Sequence, residues 1–220
     1  MARRKSRPAN SYRRKRPIRE PYDAVLIVCE GEKTEPVYLK GLQRACRLSN
    51  ANITILSGDG TDPVSIVRHA LELYRKADGA YDRVYCVFDR DGHVNYQQAL
   101  DQVAKSPLGK KGKLVAISSV PCFEFWVLLH FEYTAGPFTA VGGRSACDKV
   151  IEKVRAHFPG YQKAMVGVFE KLLLHTDTAV TRAQTLAHHN HESGTSNPAT
   201  RVHQLVTYLR GLKKAPEVNS

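Results

Sequence analysis

No run in the 220 residues approaches the roughly 18 consecutive apolar positions that a membrane helix needs. The basic N-terminus is not followed by an apolar stretch, so a secretory signal is not expected. Cysteine is sparse and odd in number. Cys29, Cys46, Cys86, Cys122 and Cys147 occur singly, without a CxxC pair, and three of them lie in or beside strand-like segments. A reduced thiol there serves as a small apolar residue, so a disulfide-free cytosolic chain is the expectation. No G-x-x-x-x-G-K-[ST] loop occurs, which leaves any ATP hydrolysis to another chain.

Positive charge is plentiful and uneven. Of a net +12, residues 1–20 carry +8 and the other 200 residues carry +4. Arg3, Arg4, Lys5, Arg7, Arg13, Arg14, Lys15, Arg16 and Arg19 supply that arm, which lacks helical or strand periodicity. A disordered basic arm of this kind docks on phosphate through charge, adding affinity and salt sensitivity rather than sequence choice. DNA or RNA, including tRNA, is the expected partner, although a leader that only aids solubility has the same composition.

Beyond the arm the pattern alternates. AVLIVC, ITILSG, RVYCVF and KLVAISSV are short apolar runs of strand length, separated by TEPVYLKGLQRACRL, PVSIVRHALELYRKA and NYQQALDQVAKSP at helical spacing. Thr34 is read as the first helix's N-cap, and Asp62-Pro63 opens the second helix. The expectation is an α/β core over 21–135, a four-stranded parallel sheet flanked by helices with right-handed crossovers. After Pro121 only helical patterns follow, with Asn197 as the N-cap of the last, so 136–220 is read as a helical layer on the core.

Acidic residues sit just past these apolar runs. Glu30 follows AVLIVC directly, and a carboxylate at a buried strand end requires a partner. Gly31 then allows a sharp bend and close approach of a phosphate or metal. Lys33 could neutralise a phosphoryl oxygen, while Glu35 suits the positive end of the helix dipole. Asp89 and Asp91 end VYCVFDRDG; in extended chain both would face one way and could grip one hard cation. Asp91-Gly92 also suits a turn, and the further acidic positions of an EF-hand are missing. Glu124 lies among Phe123, Phe125 and Trp126, where a charge again needs a partner. In a parallel sheet all these strand ends share one edge, so Glu30, Asp89 and Asp91 are expected to converge. The histidines His175, His188, His189 and His191 lack the spacing of a zinc site and are read as a helix end.

Taken as a set, CEGEKTEPVYLKGL, VFDRDG, SVPCFEFWVLLHF and NPATRVHQLVTYL resemble the RloB family of bacterial defence-associated proteins. That family is similar to the Toprim fold of topoisomerases, primases and overcoming-lysogenization-defect nucleases. The resemblance implies that Glu30 is the Toprim glutamate, that Asp89 and Asp91 form the DxD motif, and that Ser119 and Glu124 help hold a second ion. It further implies a Mg²⁺- (or Mn²⁺-) dependent nuclease of abortive infection, with Lys33 stabilising developing charge and an ABC-type ATPase as partner. A non-catalytic nucleic-acid-binding subunit and a nucleotidyl transferase remain open beside it, as does a homo-oligomer.

Overall fold

The computed structural model describes residues 20–58 and 62–213. The arginines and lysines of the basic arm lie outside the described residues. Strands β1 (Val25–Cys29), β2 (Ile53–Ser57), β3 (Arg83–Asp89) and β4 (Leu114–Val120) are parallel, as expected, in the order β2-β1-β3-β4. Cys29 stands opposite Val87, and Asp89 opposite Ser119, so β1, β3 and β4 end together.

Alternation along β1 divides the core. Val25, Ile27 and Cys29 face one apolar layer, while Leu26 and Val28 face the other. The second layer is closed by α2 (Pro63–Lys76) and α3 (Tyr96–Lys105) through Ile66, Val67, Ala70, Ala99 and Val103. Asp62 caps α2 as expected, accepting from the Val64 and Ser65 N–H groups at 3.1 Å each. A four-residue helix, α4 (Pro107–Lys110), precedes β4. The first layer is larger. Helix α1 (Thr34–Ala45) contributes Tyr38, Leu39 and Leu42, and all six residues of α5 (Glu124–Leu129) are buried there. Around them pack α6 (Ala146–His157), α7 (Val168–Leu172), α8 (Thr176–Ser193) and α9 (Val202–Gly211).

Three expectations are corrected. The sheet has a fifth strand, β5 (Ala199–Thr200), antiparallel to β4, so the C-terminal region is not purely helical. Asn197 does not cap a helix; its side chain bonds both the N–H and the C=O of Phe138, at 3.3 and 2.8 Å, fastening the 136–143 loop. Cys122 and Cys147 form a disulfide, Cα–Cα 5.7 Å, because α5 packs on α6 and brings the turn after β4 against the start of α6. Among the described residues no helix is long and apolar enough to cross a membrane.

Candidate functional site

Parallel strands deliver their carboxyl ends to one edge, and the acidic residues meet there. Glu30 leaves β1 and reaches across to β3. Its Oε2 accepts the Asp89 backbone N–H at 3.0 Å, and its Oε1 accepts His93 Nε2–H at 2.8 Å. Asp89, the last residue of β3, accepts the Phe123 N–H on Oδ2 at 3.1 Å, which ties β3 to the turn before α5. Glu124 begins α5 and is 2% exposed; Lys163 Nζ stands 3.8 Å from its Oε1 and Cys147 Sγ 3.4 Å from its Oε2. Asp89 and Glu124 share a cavity of about 440 Å³ with Lys33, Glu35 and Lys163.

Glu35, expected only to suit the helix dipole, is also a member. It sits in the first turn of α1 yet is 6% exposed. Gly31 makes its position possible, since a Cβ on Gly31 would overlap the Glu35 carboxylate. His93 and Lys163 were also not foreseen. His93 follows Asp89 by four residues in a turn closed by its N–H to the Arg90 carbonyl at 2.9 Å. Lys163 arrives from the connection between α6 and α7, and carries no local signal in the sequence.

The electrostatics follow from crowding carboxylates out of water. Burial raises the pKa of Glu35 to about 7, and Glu124 and Glu30 push the same way. Asp89 is held well above the ordinary aspartate range, by burial first and by Glu35 and Glu124 next. Glu30 and Glu124 are also raised by burial, each opposed by its partners: the Asp89 N–H and His93 for Glu30, Lys163 for Glu124. Protons or a cation relieve such a cluster. Its donors are carboxylate oxygens, the set that suits Mg²⁺ or Mn²⁺.

Other expected ligands are placed differently. Asp91 is exposed, with φ at 28°, and the chain is already turning there. Its carboxylate therefore does not continue the strand's alternation beside Asp89, although it lies close enough to raise Glu124. Ser119 is buried, and its Oγ lies 3.3 Å from Thr200 Oγ1, so it is engaged with β5 rather than lining the cavity. Thr34 does not cap α1; its Oγ1 accepts the Ala164 N–H at 3.0 Å and ties the Lys163 segment to α1. Cys122, Glu124 and Cys147 bring ligand-type atoms within 4.8 Å of one another, but the two sulfurs are joined in the disulfide and offer no thiolate to a metal. Glu30 and Asp89 each accept a backbone N–H, and Glu30 also accepts from His93.

No curated protein and no solved structure matches the chain. Residues 25–209 match the family described as RloB-like protein, a span that includes every residue of the acidic edge. The chain belongs to the RloB-like family.

Proposed function

We propose that this protein is a divalent-metal-dependent phosphodiesterase of Toprim type that cleaves nucleic acid. The observation that carries this reading is the acidic edge, where Glu30, Glu35, Asp89 and Glu124 crowd together largely out of water and, among the described residues, Lys163 and His93 oppose their charge. Burying like charges without a further role is costly, and perturbed carboxylates in a cleft mark reactive sites.

Glu35, Asp89 and Glu124 would hold Mg²⁺ or Mn²⁺, with Glu30 beside them. A cation so held polarises a phosphoryl oxygen and lowers the pKa of a bound water. This chain's own groups do the rest. His93 fixes the Glu30 carboxylate by donating to Oε1, and the Asp89 N–H fixes its other oxygen. In the absence of a cation Glu35 titrates near neutrality, so a bound ion would displace its proton. Lys33 and Lys163, on the cavity wall, offset negative charge developing on a phosphate. The basic arm would bring the strand to this edge.

The family and the basic arm support a role in anti-phage defence, and the missing nucleotide-hydrolysis loop leaves ATP hydrolysis to an ABC-type ATPase partner. Cleavage assays with DNA, tRNA and mRNA, with Mg²⁺, Mn²⁺ or EDTA and with the ATPase present, test the proposal. Metal-dependent cleavage lost in Asp89→Asn supports it. Absence of cleavage under all these conditions rejects it.

A further inference from the structure

A second cleft opens beside the acidic edge, and its chemistry is the reverse. It encloses about 660 Å³ between α3, β4, β5 and the helices α8 and α9. That lies within the roughly 300–1,000 Å³ of small-ligand sites. No aspartate or glutamate lines it, whereas Arg90, Arg201, His93 and His203 do. Neither Arg90 nor Arg201 forms an ion pair among the described residues. Two guanidinium groups facing one space without carboxylates leave their positive charge for a ligand, and the planar fork of arginine suits phosphate.

His203 adds a different kind of contact. His203 is 6% exposed, and its Nδ1 lies 3.1 Å from the Thr200 carbonyl. A carbonyl can only accept, so Nδ1 carries the proton and Nε2 of the neutral ring is an acceptor. Burial keeps that ring neutral by lowering its pKa. The cleft therefore pairs cationic donors with a hydroxyl-accepting nitrogen, beside an apolar wall from Tyr96 and Leu100. Phosphate, hydroxyl-bearing sugar and base match those three features.

We propose that this cleft binds one nucleotide unit through its phosphate, with Arg90 and Arg201 as the phosphate ligands. His93 joins the two sites, lining the cleft while its Nε2–H is bonded to Glu30. On the phosphodiesterase reading, a strand anchored here would pass its neighbouring phosphate to the acidic edge, and the inference rests on that reading only for this step.

Binding is measured by calorimetry on the full chain in EDTA, which removes any contribution from metal at the acidic edge. The probes are AMP, adenosine and pentathymidylate, compared in the parent and in Arg90→Gln/Arg201→Gln; the basic arm is the same in both proteins. AMP or pentathymidylate should bind the parent, adenosine should bind at least about tenfold more weakly, and the double variant should lose at least about tenfold for the phosphorylated probe, as expected for two charge-assisted hydrogen bonds. If AMP binds as tightly as the strand, the ligand is a free nucleotide; if only the strand binds, the cleft holds a strand segment. Equal binding of AMP and adenosine overturns the proposal, as do unchanged affinities in the double variant or no binding of either phosphorylated probe. Should the double variant melt early, Ser196→Trp narrows the cleft at an exposed lining position and keeps both arginines; weakened binding then supports the site and unchanged binding rejects it. Loss of cleavage with this binding intact would fault the metal reading alone.

Discussion

Glu30 and Asp89 stand 59 positions apart in sequence and are joined by one hydrogen bond, the Asp89 N–H donating to Glu30 Oε2 at 3.0 Å. The bond spans β1 and β3 and leaves Glu30 Oε1 for His93. A carboxylate can accept from both donors; an amide offers only one acceptor oxygen. Glu30→Gln should therefore keep the Asp89 bond and lose the donation from His93, whose Nε2 could then only accept from the new NH₂, at about 0.5–1.5 kcal/mol, partly offset by removing a buried charge. Its melting temperature should stay within a few degrees of the parent, while nucleic-acid cleavage falls on the order of 10²–10³-fold. Parental cleavage by a well-folded Glu30→Gln protein would show that the carboxylate is structural.

Glu35 makes the metal-free protein sensitive to pH. Its folded pKa is near 7 and its ordinary value is 4.5, so between these the native state holds a proton that the unfolded chain has released. Stability from this group is complete below about pH 4.5 and is lost as pH rises toward 7 and beyond, by up to about 3 kcal/mol. Denaturant unfolding in EDTA should show this decline, and Glu35→Gln should flatten it. An equal decline in Glu35→Gln would assign it to other groups.

Gly31 is needed for space at the Glu35 carboxylate rather than for the bend after β1, where its φ is not positive. In Gly31→Ala the new methyl would displace that carboxylate, at about 1–3 kcal/mol for overpacking. The variant should bind Mn²⁺ more weakly even where it remains folded. Pairing it with Glu35→Ala tests the cause, because the stability costs should then be far from additive.

How much of this could be read beforehand depended on the reach of each signal. Continuous apolar runs such as VLIVC mark buried parallel strands, and Glu30, Asp89 and Glu124 were visible because each follows one. Glu35 is not legible as a site residue because a glutamate in a first helical turn is ordinary; only Gly31 and the convergence of the other carboxylates reveal its burial. Lys163 and the Cys122–Cys147 pair come together through tertiary packing with no local pattern. β5 is two residues long, too short for alternation to register. Asp91 shows the opposite case, in which a strand rule does not carry over to a residue two positions past the strand end, where the chain is already turning.

The arm makes a prediction from charge alone. Deleting residues 1–20 removes +8, so the fall of nucleic-acid affinity with salt should become shallower, by about 0.9 in log–log slope for each duplex-DNA phosphate that the arm neutralises. Anisotropy titrations between low and physiological salt measure it. An unchanged slope would make the arm a bystander.

Calorimetric titration of Mn²⁺ into the parent and into Asp89→Asn examines the acidic edge itself, before any question of substrate. Asparagine keeps the shape of the side chain and its acceptor oxygen for the Phe123 N–H, so the fold should survive. The parent should bind Mn²⁺ with release of protons from its raised carboxyls, and Asp89→Asn should bind at least about tenfold more weakly, because the lost carboxylate charge is a principal attraction for the ion. A parent that binds no divalent ion, or a variant that binds it as tightly as the parent, would contradict the account.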